Sequence, residues 1–371
     1  MKNASPTIAF RGCLTMASWL IALSPLGVVG EDRGAGQTLP LMELRVGRTA
    51  ERGIPISWQD SGVILLRTDG SLREFEPRQI ASHHLLTQEF RPESAFHLRG
   101  VLQQEFGRGY RVDGSGDFTI VAPPSTVGYW SDRFALLQRS FDQYFRTRGY
   151  PLKPLDFPLI GIVFASQAEF LQHAEKIGLQ LQAGTVGYYS PATNRLYAYQ
   201  SSDTPDERSE ALATVWHEAA HQLAFNRGLH QRLTKPPLWL LEGLASIFEA
   251  PGMVGSRSSQ QPSALINRSR WGDWQTLARQ PEKRGEIFEQ LIVDDRYFRL
   301  QPEVAYSLSW GVSLYLAERE TAKYMKYLQR LSQLPFGQEY APGQRLQDFR
   351  QAFPGNPRLL LQAADRFLEG L

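Results

Sequence analysis

Between residues 39 and 80, apolar side chains recur at alternate positions in short runs: MELRV at 42–46, IPISW at 54–58, and two segments within GVILLRTDGSLREFE at 62–76. A period of two predicts strands, and Asp69-Gly70 between the last two segments predicts a hairpin. After a loop at Arg91-Pro92 the pattern becomes mixed. Residues 94–106 read as a helix and 110–122 as a strand pair around a glycine turn, while 131–148 places Phe134, Leu137, Phe141 and Phe145 on one helical face. The apolar run LIGIVFA at 159–165 predicts a buried strand, followed by a helix after Ser166 and a hairpin-like GYYSPATNRLYAY at 187–199. From Pro205 a helical period continues to the C-terminus, interrupted by a polar stretch at 253–269. The glycines of GSG at 114–116 lack the spacing of a dinucleotide-binding turn, and no internal repeat is present.

The alternating runs of the first part resemble a small SH3-like barrel, with an edge hairpin of the main domain as the other reading of the same residues. The expected class is α+β: an SH3-like β module over 31–90, then a domain over 91–371 with a small mixed sheet and a mainly helical C-terminal part. Composition agrees with a globular chain, at 42% hydrophobic and 21% charged over 371 residues. The net charge of +2 excludes a strongly basic nucleic-acid binder.

Residues 1–30 stand apart. Lys2 and Arg11 precede an uncharged run over 13–30, and small residues lead to Glu31. This pattern predicts a secretory signal peptide cleaved near Gly30, and hence an exported protein with no membrane span after cleavage. A retained anchor is the alternative, opposed by Pro25 and an apolar run short of the roughly 20 residues that a span needs. Residues 31–38 read as a polar leader. Cleavage removes Cys13, the single cysteine, together with two basic residues, so the mature chain is formally neutral and has no thiolate for a metal or a disulfide.

The chemistry concentrates at His217-Glu218-Ala219-Ala220-His221. Histidines four apart lie on one helical face and can reach one metal ion, with the glutamate beside it. The helix is well specified: Thr204-Pro205-Asp206-Glu207 reads as a capped start, Leu212, Val215, Ala219 and Leu223 form its apolar face, and Gly228 is its stop. A third ligand is required. The metzincin continuation fails, because Ala224 and Arg227 stand where glycine and histidine are needed. Glu242 is well placed instead, in WLLEGLA at 239–245 after the helix-starting Pro236-Pro237.

HEAAH followed by WLLEGLA resembles the signature of the gluzincin metallopeptidases. Together with GYYSPATNRLYAY upstream and AYSLSWGVSLYL at 305–316, it resembles a family of exported bacterial proteins of the peptidase-MA-like group. That resemblance, over roughly 115–371, implies a zincin-like catalytic domain. It also implies one zinc ion held by His217, His221 and Glu242, Glu218 as catalytic base, and a peptide or protein substrate. The chain lacks the Gly-x-Met-Glu-Asn segment of the aminopeptidases and the Asn and Asp of the thermolysin-type third-ligand motif.

Nitrogen and oxygen ligands that leave one zinc position open are the mark of a catalytic site. Tyr306 is the first candidate for the oxyanion donor, with Tyr188, Tyr189 and His230 behind it, and the alternative for Tyr306 is a packed core ring. The strand at 196–199 can serve as a substrate-pairing edge or as part of the sheet. His83-His84 reads as a surface pair, and Asp294-Asp295 has no nearby histidine to suggest a second metal. A non-catalytic, zinc-stabilised envelope protein is the competing reading.

Overall fold

The computed structural model describes residues 40–181, 184–200, 205–255 and 262–371. The expected signal peptide, the 31–38 leader and the Thr204 cap lie outside the described residues. No helix among those residues is long and apolar enough to cross a membrane.

The amino-terminal strands are β1 (Pro40–Val46), β2 (Thr49–Gln59), β3 (Gly62–Leu66), β4 (Leu72–Phe75) and β5 (Ile80–Glu89). They form an antiparallel sheet in the order β4-β3-β2-β1-β5. The long β2 pairs β1 through its first half and β3 through its second, with an irregular register between Pro55 and Ser57. A shared, bent strand and a 3-10 turn at Pro77–Gln79 before the last strand give the SH3-like arrangement. Its interior is small: Leu44, Val63 and Leu65 are buried, with Met42, Val46, Phe75 and Ile80 against them. The fifth strand went unrecognised in the sequence because nearly all of ASHHLLTQE is exposed, so no buried face imposes a period on it.

The second sheet contains β6 (Arg111–Ser115), β7 (Phe118–Ala122), β8 (Leu159–Phe164), β9 (Gly187–Ser190) and β10 (Arg195–Tyr199), in the order β6-β7-β8-β10-β9. The inner strands β7, β8 and β10 run parallel, and each edge strand is antiparallel to its neighbour. Helices α1 (Ala95–Phe106) and α3 (Gln167–Lys176) cover one face, and α2 (Val127–Thr147) and α4 (Pro205–Asn226) the other. The buried β8 feeds both layers by alternation, sending Leu159 and Val163 towards α2 and α4, and Ile160, Ile162 and Phe164 towards α1 and α3.

The rest of the chain is helical: α5 (Leu238–Ile247), α6 (Arg268–Ala278), α7 (Pro281–Val293), α8 (Tyr297–Leu300), α9 (Pro302–Arg319), α10 (Thr321–Leu331), α11 (Pro342–Ala352) and α12 (Pro357–Glu369). Its apolar side chains merge with those of α2 and α4 into one core containing Trp239, Trp274, Trp310 and Phe248. The protein is therefore α+β, as its sequence indicates. Helix α5 lies hard against α9, where a Cβ on Gly243 would stand 2.3 Å from both the Ser309 carbonyl oxygen and the Ser313 hydroxyl. Only a residue without a side chain permits that approach, and it fixes the height of Glu242, the next residue back.

Candidate metal centre

Helix α4 carries the first two candidate ligands because its apolar stripe has one stable orientation. Val215, Ala219 and Leu223 are buried in the main core, which turns the neighbouring stripe of His217, Glu218 and His221 towards α5 and strand β9. Helix α5 brings Glu242 to the same place. The four polar residues are between 2% and 5% exposed, which in a metal-free site would be a costly burial of ionisable groups.

Ligand-type atoms of His217, His221 and Glu242 all lie within 4.8 Å of one another. The two Nε2 atoms are 3.1 Å apart, and Glu242 Oε2 stands 3.2 Å from His217 Nε2 and 3.4 Å from His221 Nε2. Proton counting shows why this cluster suits a cation. His217 Nδ1 lies 2.7 Å from Glu249 Oε1; a neutral His217 that donates there carries its lone pair on Nε2, facing a second imidazole nitrogen and a carboxylate. Three electron-rich atoms converging with too few protons between them is the donor set of a divalent metal site.

Electrostatics agree. Burial pushes the Glu242 carboxyl upward, and positive charge on the imidazoles of His221 and His217 outweighs it and brings it down to about 2, so the carboxylate is held by the positive charge that a bound cation would equally supply. Glu249 is likewise pushed up by burial and held far below the usual carboxylate range by Arg270, His217 and Asn267. Its Oε2 accepts from Asn267 Nδ2 at 2.6 Å and its Oε1 from the Arg270 guanidinium at 3.3 Å. Glu249, missed in the sequence reading, thus orients the first histidine.

Glu218 is the fourth member. Its Oε2 accepts the Tyr189 main-chain N–H at 2.7 Å, and burial raises its carboxyl above the ordinary value against the opposing charges of His217 and His221. The hairpin that supplies this N–H is itself tied to α4. Asn194, in the left-handed region at φ 56°, accepts from the Tyr189 hydroxyl at 2.8 Å and from Asn226 at 2.8 Å, and its carbonyl accepts from Gln222 at 2.7 Å.

The structure separates the other candidates. Tyr306 sits beside the centre, its ring 6.4 Å from that of His217 and 4.8 Å beneath the Arg270 guanidinium. His230 is buried, neither ring nitrogen has a partner among the described residues, and burial, then the charge of His221, brings it down to about 3. Tyr188 points to the opposite layer, stacked on Tyr197 at 5.0 Å, because strand neighbours face opposite sides. Strand β10, with 196–199, is interior; the edge beside α4 is β9. His83 packs against Trp58 at 4.9 Å and His84 lies 3.6 Å from Glu43, away from the centre. Asp295 has a structural task, accepting the Leu238 N–H at the start of α5 while pairing with Arg345.

The segment that begins within α4 and ends just beyond α10 has a family match. It matches a family described as protein of unknown function (DUF1570) over residues 211–336. That range contains His217, Glu218, His221, Glu242 and Glu249. Yeast LTA4 hydrolase is a similar solved structure at 12% identity and a TM-score of 0.37; the match covers 68% of this chain and 38% of that one. Among curated proteins, none matches the chain.

Proposed function

We propose that this chain is an exported zinc-dependent peptidase of gluzincin type, with His217, His221 and Glu242 holding one zinc ion and Glu218 as general base. One observation carries the reading: three ligand atoms converge on α4 and α5 while a fourth, non-converging carboxylate is held beside them by a main-chain donor. A structural zinc site has no use for that carboxylate. Zinc bound there supplies Lewis acidity towards a carbonyl and lowers the pKa of a water to about 7.

The chain's own groups supply the rest. Glu218 receives the proton of the attacking water on the carboxylate oxygen that Tyr189 leaves free, and returns it to the departing amine. Tyr306, beside His217, and the neutral imidazole of His230 are candidate donors to a developing oxyanion. An extended substrate adds to β9, the edge strand beside the base. Export rests on the pattern of residues 1–30, and the separate module over 31–90 and catalytic domain over 91–371 belong to the same proposal.

The test is Glu218→Gln in the purified mature chain, incubated with a diverse peptide library. Cleavage falls at least about a hundredfold while zinc content stays at the wild-type level. A variant that cleaves as well as the wild type removes Glu218 from the mechanism. A wild type that holds zinc but cleaves nothing replaces the peptidase with a zinc-stabilised binding protein.

A further inference from the structure

The general base depends on a strand edge, and that edge is held from outside the catalytic layer. Beyond the last turn of α4, in the segment joining the two ligand helices, Arg232 extends its guanidinium between two turns. Its Nε donates to the Pro191 carbonyl at 2.7 Å, one terminal nitrogen to the Gly70 carbonyl at 2.7 Å, and the other to the Ala192 carbonyl at 3.3 Å. Pro191 and Ala192 form the turn after β9; Gly70 belongs to the β3–β4 turn of the amino-terminal sheet. An independent bond repeats the connection, from the Leu72 N–H to the Ala192 carbonyl at 2.7 Å.

The β3–β4 turn is a firm anchor. Asp69 Oδ1 accepts the Ser71 N–H at 3.0 Å and the Ser71 hydroxyl at 2.5 Å, and Gly70, at φ 81°, lies so close to Phe157 that a Cβ would meet that ring at 2.9 Å. On its other side the hairpin is fastened to α4, at Asn194 by Gln222 and Asn226 and at Tyr189 by packing on Phe225. A four-residue edge strand with one ladder partner depends on what holds its turn, and Tyr189, whose N–H holds Glu218, lies one residue from the end of that strand.

We propose that Arg232 is a positioning residue for Glu218, and that through it the amino-terminal sheet completes the catalytic site. This rests on the peptidase reading above, in which Glu218 is the base. Arg232 acts on the hairpin rather than on the ligands: its three acceptors are main-chain carbonyls, and none belongs to a metal-binding residue.

The experiment uses the full mature chain with Arg232→Gln, Arg232→Lys and, as a second route that leaves Arg232 intact, Asp69→Ala, which loosens the anchoring turn without touching the hairpin. Hydrogen exchange by mass spectrometry follows residues 187–199, and metal analysis and steady-state kinetics on a peptide cleaved by the wild type follow the site. In Arg232→Gln, exchange over 187–199 accelerates by about tenfold or more. Zinc content holds, and kcat falls between about tenfold and about a hundredfold with KM within about twofold. Arg232→Lys restores part of the loss, and Asp69→Ala moves both readouts in the same direction by less. Unchanged exchange over 187–199 in Arg232→Gln and Asp69→Ala overturns the coupling, and faster exchange with unchanged kcat overturns the positioning role. If the wild type cleaves no peptide, the peptidase reading fails and the exchange data alone decide whether Arg232 couples sheet and hairpin.

Discussion

At residue scale, His217 shows how much of the centre is local. Its pairing with His221 follows from helical periodicity alone, so the HEAAH run was legible, and Glu242 was legible from the helix boundaries around it. Glu249 was not recognised, although a signal existed: in WLLEGLASIFEA it is the only charge besides Glu242, and an acid at the end of so apolar a helix needs a buried partner. That partner lies 32 residues back, a distance that sequence periodicity does not span. Replacing Glu249 with Gln keeps the shape but removes the charge facing the His217 Nδ1 proton. Zinc affinity falls about tenfold to a hundredfold, measured by competition with a chromogenic chelator; unchanged affinity would mean that His217 needs no help. Tyr188 and Tyr189 illustrate the other limit. They are adjacent; the Tyr188 side chain goes to the opposite layer, while Glu218 is met by the Tyr189 main-chain N–H, a contact that no side-chain pattern encodes.

At the scale of elements, α4 could be traced from sequence because its stripe and its stop agree, whereas β5 could not because it has almost no buried side. The order β8-β10-β9 was also hidden, since it depends on pairing across a crossover helix rather than on local pattern. Gly243 makes the packing of α5 testable. Gly243→Ala forces α5 away from Ser309 and Ser313 of α9, and a shift of that kind costs about 1–3 kcal/mol, read from denaturant unfolding. Because Glu242 adjoins it, zinc affinity drops as well; a variant with wild-type stability would show that the helices have room to give. Metal removal acts on the same pair of helices. A zinc ion that binds the folded chain only, at a hundred times its dissociation constant, adds about 2.7 kcal/mol. A chelator therefore lowers the melting temperature, reversibly on adding zinc back, and an unmoved transition would separate the metal from the α4–α5 contact.

Across the whole molecule, the α+β class and the division into a β-rich start and a helical end follow from the change in apolar period along the chain. How the two sheets meet does not, because the contact is made by Arg232 reaching main-chain carbonyls that carry no sequence signature. The large core formed by α2, α4 and the later helices fixes the ligands, while the smaller amino-terminal sheet reaches the hairpin that holds the base. These separate supports predict separate failures: changes at Glu242 or Gly243 remove metal, and changes at Arg232 leave metal in place and slow the reaction. Both expectations stand on the convergence of His217, His221 and Glu242 being a zinc site. Elemental analysis of the mature chain purified without chelators, beside Glu242→Ala, tests this most directly. The wild type is expected to carry about one zinc per chain and the variant far less. A wild type without stoichiometric zinc, or equal occupancy in both proteins, would contradict it.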